Sequence, residues 1–178
     1  DEASRVHHFL VDASASMRGE RATFARGMAI ASAKKLLLAG EDVTFRFFDS
    51  RLYEAHSARS GQLPIAYLLS FKGEHGRNPS RVFAEVERTL AIASTRDPRE
   101  PIVHVFTHGA LYVPRDVMAA ISRRAKVSGL FMLPSGGDLD LDYLDLLDAH
   151  WVVDHSALAS RSARAKEARR ILGTEKAA

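Results

Sequence analysis

Three oxygen-bearing side chains, Asp12, Ser14 and Ser16, stand at alternate positions in Asp12-Ala13-Ser14-Ala15-Ser16-Met17. An extended turn can aim alternate side chains at one point, and a carboxylate with two hydroxyls converging there suits a hard divalent cation. The same residue types also cap helices, because their oxygens accept from the free N–H groups of a first turn. Ser14 or Ser16 with His108 and Asp12 would supply the nucleophile, base and orienting acid of a hydrolase. No Gly-x-Ser-x-Gly elbow accompanies them, however, and no Gly-x-x-x-x-Gly-Lys loop is present to cradle phosphates. Asp138-Leu139-Asp140-Leu141-Asp142 imitates the opening of a calcium loop, but the sixth position is Tyr143 and Ala149 stands where the closing glutamate belongs. A negatively charged first helical turn is the better reading of that run.

These residues need elements to position them. Val6 to Val11 is a short apolar run that stops at Asp12, which suits a buried strand. Arg18 to Leu38 is free of proline and rich in helix formers, with Gly40 as the stop signal. Val43 to Phe48 and Arg51 to Ala55, separated by Asp49-Ser50, predict two neighbouring strands in a hairpin. Gly61 to Phe71 predicts a short helix, and Lys72 to Pro79 an exposed loop. Val82, Val86, Leu90 and Ala93 recur at helical spacing, so Ser80 to Ser94 is an amphipathic helix. Ile102 to Phe106 reads as a strand that enters Thr107-His108-Gly109. A helix over Pro114 to Lys126, a strand over Gly129 to Leu133, a short helix over Asp140 to Leu147, a strand over His150 to Val153 and a helix over Ala157 to Leu172 follow.

Strands that alternate with helices over the whole length imply a parallel sheet covered on both faces, since parallel neighbours need crossover helices. The fold class is α/β, doubly wound and mainly parallel. Ligands of such sheets sit beyond the carboxyl ends of the strands, so Asp12 to Ser16, the loop ending at Ser80, and Thr107 to Gly109 should share one edge.

With 178 residues, 46% of them hydrophobic, the chain is long enough for one core, and one domain over 1–178, part of a longer protein, is the expectation. The absence of cysteine excludes disulfides and thiolate metal sites. No run approaches the length of a membrane span and the first residues have no signal-peptide layout, so a soluble, cytoplasmic chain is expected. The formal charge of +3 is too small to imply a polyanion partner by itself. Its distribution is uneven: five aspartates lie between Asp138 and Asp148, while Arg161, Arg164, Lys166, Arg169 and Arg170 crowd the last predicted helix. Nucleic-acid binding through that helix is an alternative that this clustering raises, although no aromatic platform accompanies it.

Asp12-x-Ser14-x-Ser16, set between a first strand and a first helix, with a Thr-x-Gly turn after a later strand, resembles von Willebrand factor A (VWA) domains. The resemblance spans essentially the whole chain and implies a Rossmann-like domain with a metal-ion-dependent adhesion site. In that family Asp12, Ser14 and Ser16 would hold the ion. A later loop would add an oxygen, for which Ser80 is the preferred match and Asn78 the alternative. The family's further aspartate falls at His108, so the site is degenerate. One divalent ion, magnesium or manganese, is implied; the imidazole removes a negative charge and supplies a nitrogen, which suits zinc or other transition metals better than magnesium or calcium, so zinc is the ion if His108 ligates. The implied function is protein binding without catalysis. A partner's acidic residue would meet Asp12, Ser14, Ser16, Asn78, Ser80, Thr107 and His108, and a metal-assisted hydrolase using the same loops is the alternative.

Overall fold

The structure is a computed structural model that describes residues 5–58 and 62–177, with side chains through residue 173. Its strands are β1 (Arg5–Asp12), β2 (Asp42–Phe48), β3 (His56–Ala58), β4 (Glu100–His108), β5 (Lys126–Met132) and β6 (Ala149–Val153). Its helices are α1 (Glu20–Leu38), α2 (Ile65–Ser70), α3 (Pro79–Ser94), α4 (Arg115–Ser122) and α5 (Arg161–Ala177). The sheet order is β3-β2-β1-β4-β5-β6, parallel throughout except for the antiparallel edge strand β3. This is the doubly wound α/β fold expected from the alternation of elements.

Strand alternation divides the core in two. His7, Phe9 and Val11 of β1, with Phe45 and Phe47 of β2 and Phe106 of β4, face α1 and α5, where Ala25, Met28, Ala29 and Ile171 cover them. Leu10, Val103, Val105, Val127 and Phe131 face the opposite way, under Val82, Phe83, Val86 and Leu90 of α3 and Met118 and Ile121 of α4. Side chains of successive strand residues point to opposite faces, so each strand serves both layers. The chain runs from β1 to β2 on one side and later returns to β4 on the other, so the crevice between the carboxyl ends of β1 and β4 is where the order reverses.

Local chemistry accounts for the element ends. Gly40 takes φ 84°, and its N–H and that of Glu41 close back on the carbonyls of Leu37 and Leu36, ending α1. Asn78 caps α3, its side-chain oxygen accepting from Arg81 N–H at 3.2 Å, with Pro79 in the first helical turn. The last helix begins at Arg161, later than predicted, because Ser160 Oγ caps it and His155–Leu158 forms a separate 3-10 turn.

Two sequence expectations are corrected. Arg51 to Ala55 is not a strand. Asp49 closes a side-chain turn on Arg51 N–H, only Leu52 bridges back to Phe48, and regular pairing resumes with Phe45 opposite His56. Asp140 to Leu147 is not a helix either, apart from one turn at Leu144–Leu146. Leu141 and Tyr143 are buried, Tyr143 OH donates to Leu111 O at 2.7 Å, and Arg115 ties Asp142 O and the Asp145 carboxylate. Those anchors compete with helical hydrogen bonds and hold an irregular loop. Tyr143→Phe is expected to cost about 1 kcal/mol in urea unfolding, near the low end for a buried hydrogen bond, because Leu111 O keeps a second donor in Val113 N–H. The predicted helix over 61–71 starts outside the described residues and is observed as Ile65–Ser70. Among the described residues no helix is long and apolar enough to cross a membrane.

Candidate functional site

Asp12 ends β1 with its side chain in the same phase as Leu10, and Thr107 in β4 shares the phase of Val103 and Val105, so both lie on one face of the sheet. Asp12 is 2% exposed and Thr107 0%. The Thr107 hydroxyl donates to Asp12 Oδ2 at 2.7 Å, and Ser14 N–H donates to Asp12 Oδ1 at 2.8 Å. Thr107, expected among the partner-contacting residues, is therefore sealed inside, where it fixes the Asp12 carboxylate. Ser14 is buried too, and its Oγ has no hydrogen-bond partner.

His108 closes β4 and is buried beside Asp12, its Nε2 3.4 Å from Asp12 Oδ2 without making a hydrogen bond. Its Nδ1 accepts from Ala110 N–H at 3.1 Å. Burial holds the imidazole below its ordinary pKa; Asp12 pulls the other way, and the charges of Arg77 and Arg21 reinforce the lowering. A neutral ring that accepts at Nδ1 carries its proton on Nε2, facing Asp12. In this tautomer neither nitrogen is placed to take a proton from Ser14 or Ser16.

Ser16 lies in the 3-10 turn Ala15–Met17 at the surface, where Arg77 Nη1 donates to its Oγ at 3.4 Å. Ser80 is exposed in the first turn of α3, and Asn78 is spent on capping that helix. Neither touches Asp12, Ser14, Ser16 or His108 through a hydrogen bond. The structure thus brings together Asp12, Ser14, Thr107 and His108, places Ser16 at their rim, and leaves Asn78 and Ser80 along the edge. On the far side of Ser16 a hollow of about 260 Å³ is lined by Ser16, Arg21, His108, the exposed Tyr112 and Asp138.

The loop that delivers Arg77 is held by a residue with no role assigned from sequence. Asp49, buried just beyond β2, accepts at Oδ2 from Tyr53 OH (2.9 Å), Glu74 N–H (2.8 Å) and His75 N–H (3.0 Å). His75 O in turn accepts from Ala15 N–H at 3.2 Å, fastening the loop to the Asp12–Ser16 turn. His75 takes φ 67°, a left-handed conformation uncommon outside glycine and asparagine.

The donor set does not fit a resident divalent ion. Asp12 is its one carboxylate, and among the described residues no three His, Asp or Glu side chains cluster with metal-binding spacing. Magnesium and manganese would meet the positive charge of Arg77 at the rim instead of a second carboxylate. Zinc would find His108 Nε2 and Asp12 Oδ2, two ligands where its sites use three or four.

No protein-family profile matches this sequence, and no curated protein matches it either. Solved structures do. The VWA domain of SpRpn10 aligns with 94% of this chain and 95% of its own at TM-score 0.61 and 7% identity. An aerotolerance-related membrane protein from Bacteroides fragilis aligns with 93% of this chain and 98% of its own at TM-score 0.60 and 13% identity. BatB from Bacteroides thetaiotaomicron aligns with 96% and 98%, at TM-score 0.54 and 16% identity. At such identities the likeness establishes the fold, which is VWA-like.

Proposed function

We propose that this domain is a non-enzymatic protein-interaction module that meets its partner on the edge carrying Ser16, Arg77, Asn78 and Ser80, with His108 buried beneath it. An acidic side chain of the partner is taken up beside Ser16 by Arg77 and Arg21. The observation that carries the reading is the Arg77 guanidinium donating to Ser16 Oγ at 3.4 Å, on the same turn whose Asp12 carboxylate is held from within by Ser14 N–H and Thr107 Oγ1. Arg77 thereby brings a positive charge to Ser16, one of the residues that the resemblance to VWA domains assigns to the metal, and can offer it to a carboxylate. Arg suits this role because its planar fork meets a carboxylate with two parallel hydrogen bonds.

A competing reading keeps a divalent ion at Asp12, Ser14, Ser16, Ser80 and His108. It draws on the two buried atoms without partners, Ser14 Oγ and His108 Nε2. Isothermal titration with magnesium, manganese and zinc separates the two. The expected result is no saturable uptake at millimolar ion, whereas saturable heat that Asp12→Ala abolishes would establish the metal reading.

The edge itself is tested by site-specific photo-crosslinking in the source cell, with the crosslinker at Ser80 or Tyr112 and, as a control, at Thr89 on the exposed surface of α3. Discrete adducts from the edge positions that Arg77→Ala weakens are expected. Adducts equally abundant from Thr89, or none from any position, would rule the edge out.

A further inference from the structure

A larger cavity, about 570 Å³, opens on the other side of the Ala15–Met17 turn, between the start of α1 and the end of α2. Four basic residues line it, Arg18, Arg26, Lys72 and His75, and no acidic residue does. The nearest acids in sequence are paired elsewhere: Glu20 lies 3.6 Å from Arg164, and Glu74 lies 3.4 Å from Arg51. Arg18 and Lys72 have no ion-pair partner among the described residues. Arg26 is half-buried, with Nη1 on the carbonyls of Leu68 and Leu69, its guanidinium over the Phe47 ring at 4.9 Å, and a buried Nε that has no acceptor. Ser14 also lines this cavity, is 3% exposed, and has an Oγ with no partner. The exposed Arg18 and Lys72 and the half-buried Arg26 gather here without a counter-charge, beside a buried hydroxyl with an unused hydrogen-bonding capacity, an arrangement that suits an anion.

The rest of the lining sets what kind of anion. Met17 and Phe71 give the cavity apolar wall, and at its rim Leu69 is 56% exposed on the same face of α2 as Ile65, one turn earlier. A volume of this size takes a few side chains and is far short of a groove for a phosphate backbone. Phe71 is already stacked on Phe47 at 4.2 Å and packed edge-on with Tyr53 and Tyr67, which commits it to the cluster under α2 and away from stacking on bases. We infer that this cavity is a second, metal-independent binding site, one that receives the carboxylates of an acidic segment of the partner protein whose apolar residues cover Leu69 and Ile65. The inference rests on the reading of the domain as a protein-interaction module and adds the chemistry of the partner: acidic side chains interleaved with apolar ones.

The probe is a dye-labelled Glu–Leu repeat peptide followed by fluorescence anisotropy, with a Gln–Leu repeat peptide, inorganic phosphate and an oligothymidylate as competitors. Saturable binding of the Glu–Leu peptide is expected, weakened about tenfold or more by Lys72→Glu and by Arg18→Glu, both exposed positions. Arg88→Ala, at an exposed position of α3 away from the cavity, is expected to leave it within about twofold. Unchanged urea midpoints verify that the charge reversals leave the fold intact. Absence of binding, or equal binding to wild type and both reversal variants, would overturn the assignment of the cavity. Competition by the Gln–Leu peptide, phosphate or oligothymidylate as effective as that of unlabelled Glu–Leu peptide would overturn the carboxylate class. The two readings fail separately: loss of the cavity leaves the crosslinks from Ser80 and Tyr112 standing, and loss of those crosslinks leaves the peptide affinity standing.

Discussion

Acidification from about pH 7 to about pH 4 is expected to remove roughly 3 kcal/mol or more of folding free energy, a large fraction of the ~5–15 kcal/mol typical of a domain. The cause lies inside the sheet. His7 and His104 stand on neighbouring strands with Nδ1 of one 2.9 Å from Nε2 of the other, and His104 Nδ1 is 2.9 Å from Ser128 Oγ. One proton lies between the two facing nitrogens, and His7 Nε2 has no hydrogen-bond partner, so nothing at this pair compensates added charge. Burial, the largest cause in each case, lowers His7 from 6.5 to about 4 and His104 to about 3; Glu41 pulls His7 up, while Arg5 and His8 push it down, and His7 and His8 push His104 down. In the unfolded chain both titrate near their ordinary value. Below about pH 6.5 the unfolded state therefore binds more protons than the native state, and stability falls as the pH drops toward the native pKa values. For His7 alone the interval from 6.5 to about 4, at about 1.4 kcal/mol per pKa unit, gives roughly 3 kcal/mol, and His104 acts in the same direction. Urea midpoints measured across that range check the expectation. The double variant His7→Leu/His104→Leu should flatten the dependence, since it replaces both partners of the bond with apolar groups. A wild-type midpoint constant down to about pH 4 would refute the account.

The position of Asp12 was legible because an apolar run that fits a strand ends on it and helix formers follow. His108 was legible as an edge residue for the same reason, at the end of Ile102 to Phe106. The inward setting of Thr107 was also encoded: Val103, Val105 and Thr107 alternate on one side of β4, as Leu10 and Asp12 do on β1. Alternation that puts two valines in the core puts the threonine there as well. The arginine on Ser16 had no such signal. Lys72 to Pro79 is polar and rich in glycine and proline, which reads as a free loop. It is fastened by backbone N–H groups of Glu74 and His75 to a carboxylate 25 and 26 residues earlier. Any residue except proline offers an N–H, so periodicity and composition cannot register that bond. The Arg51 to Ala55 segment was misread for a related reason: its residues favour strands, but the same Asp49 claims Arg51 N–H for a turn. The cavity beside α1 was likewise not legible, because its cations come from Arg18, Arg26 and the distant Lys72, which meet only when the loop is docked.

Asp49→Ala should accordingly be among the most damaging single changes, costing about 3 kcal/mol and loosening the functional edge with it. The substitution leaves Tyr53 OH and the N–H groups of Glu74 and His75 without their common acceptor, and Arg51 N–H without its own. Unpaired buried donors cost on the order of 1–3 kcal/mol each, and the exposed ones recover part of this from water. Hydrogen exchange distinguishes the cause, since protection should be lost at the Glu74 and His75 amides while amides in the centre of β4 keep theirs relative to the global stability. Gly73 offers an independent route to the same outcome. A Cβ there would run into Asp49 Oδ2, which cannot give way because three donors hold it. Gly73→Ala is therefore expected to displace the loop and weaken the crosslinks that depend on Arg77. In the double variant Asp49→Ala/Gly73→Ala that collision no longer exists, so the two losses should fall short of additive by about 1 kcal/mol or more. Full additivity would mean that Gly73 and Asp49 act on the edge through separate contacts, and that the carboxylate is not the pin on which Arg77 and His75 are mounted.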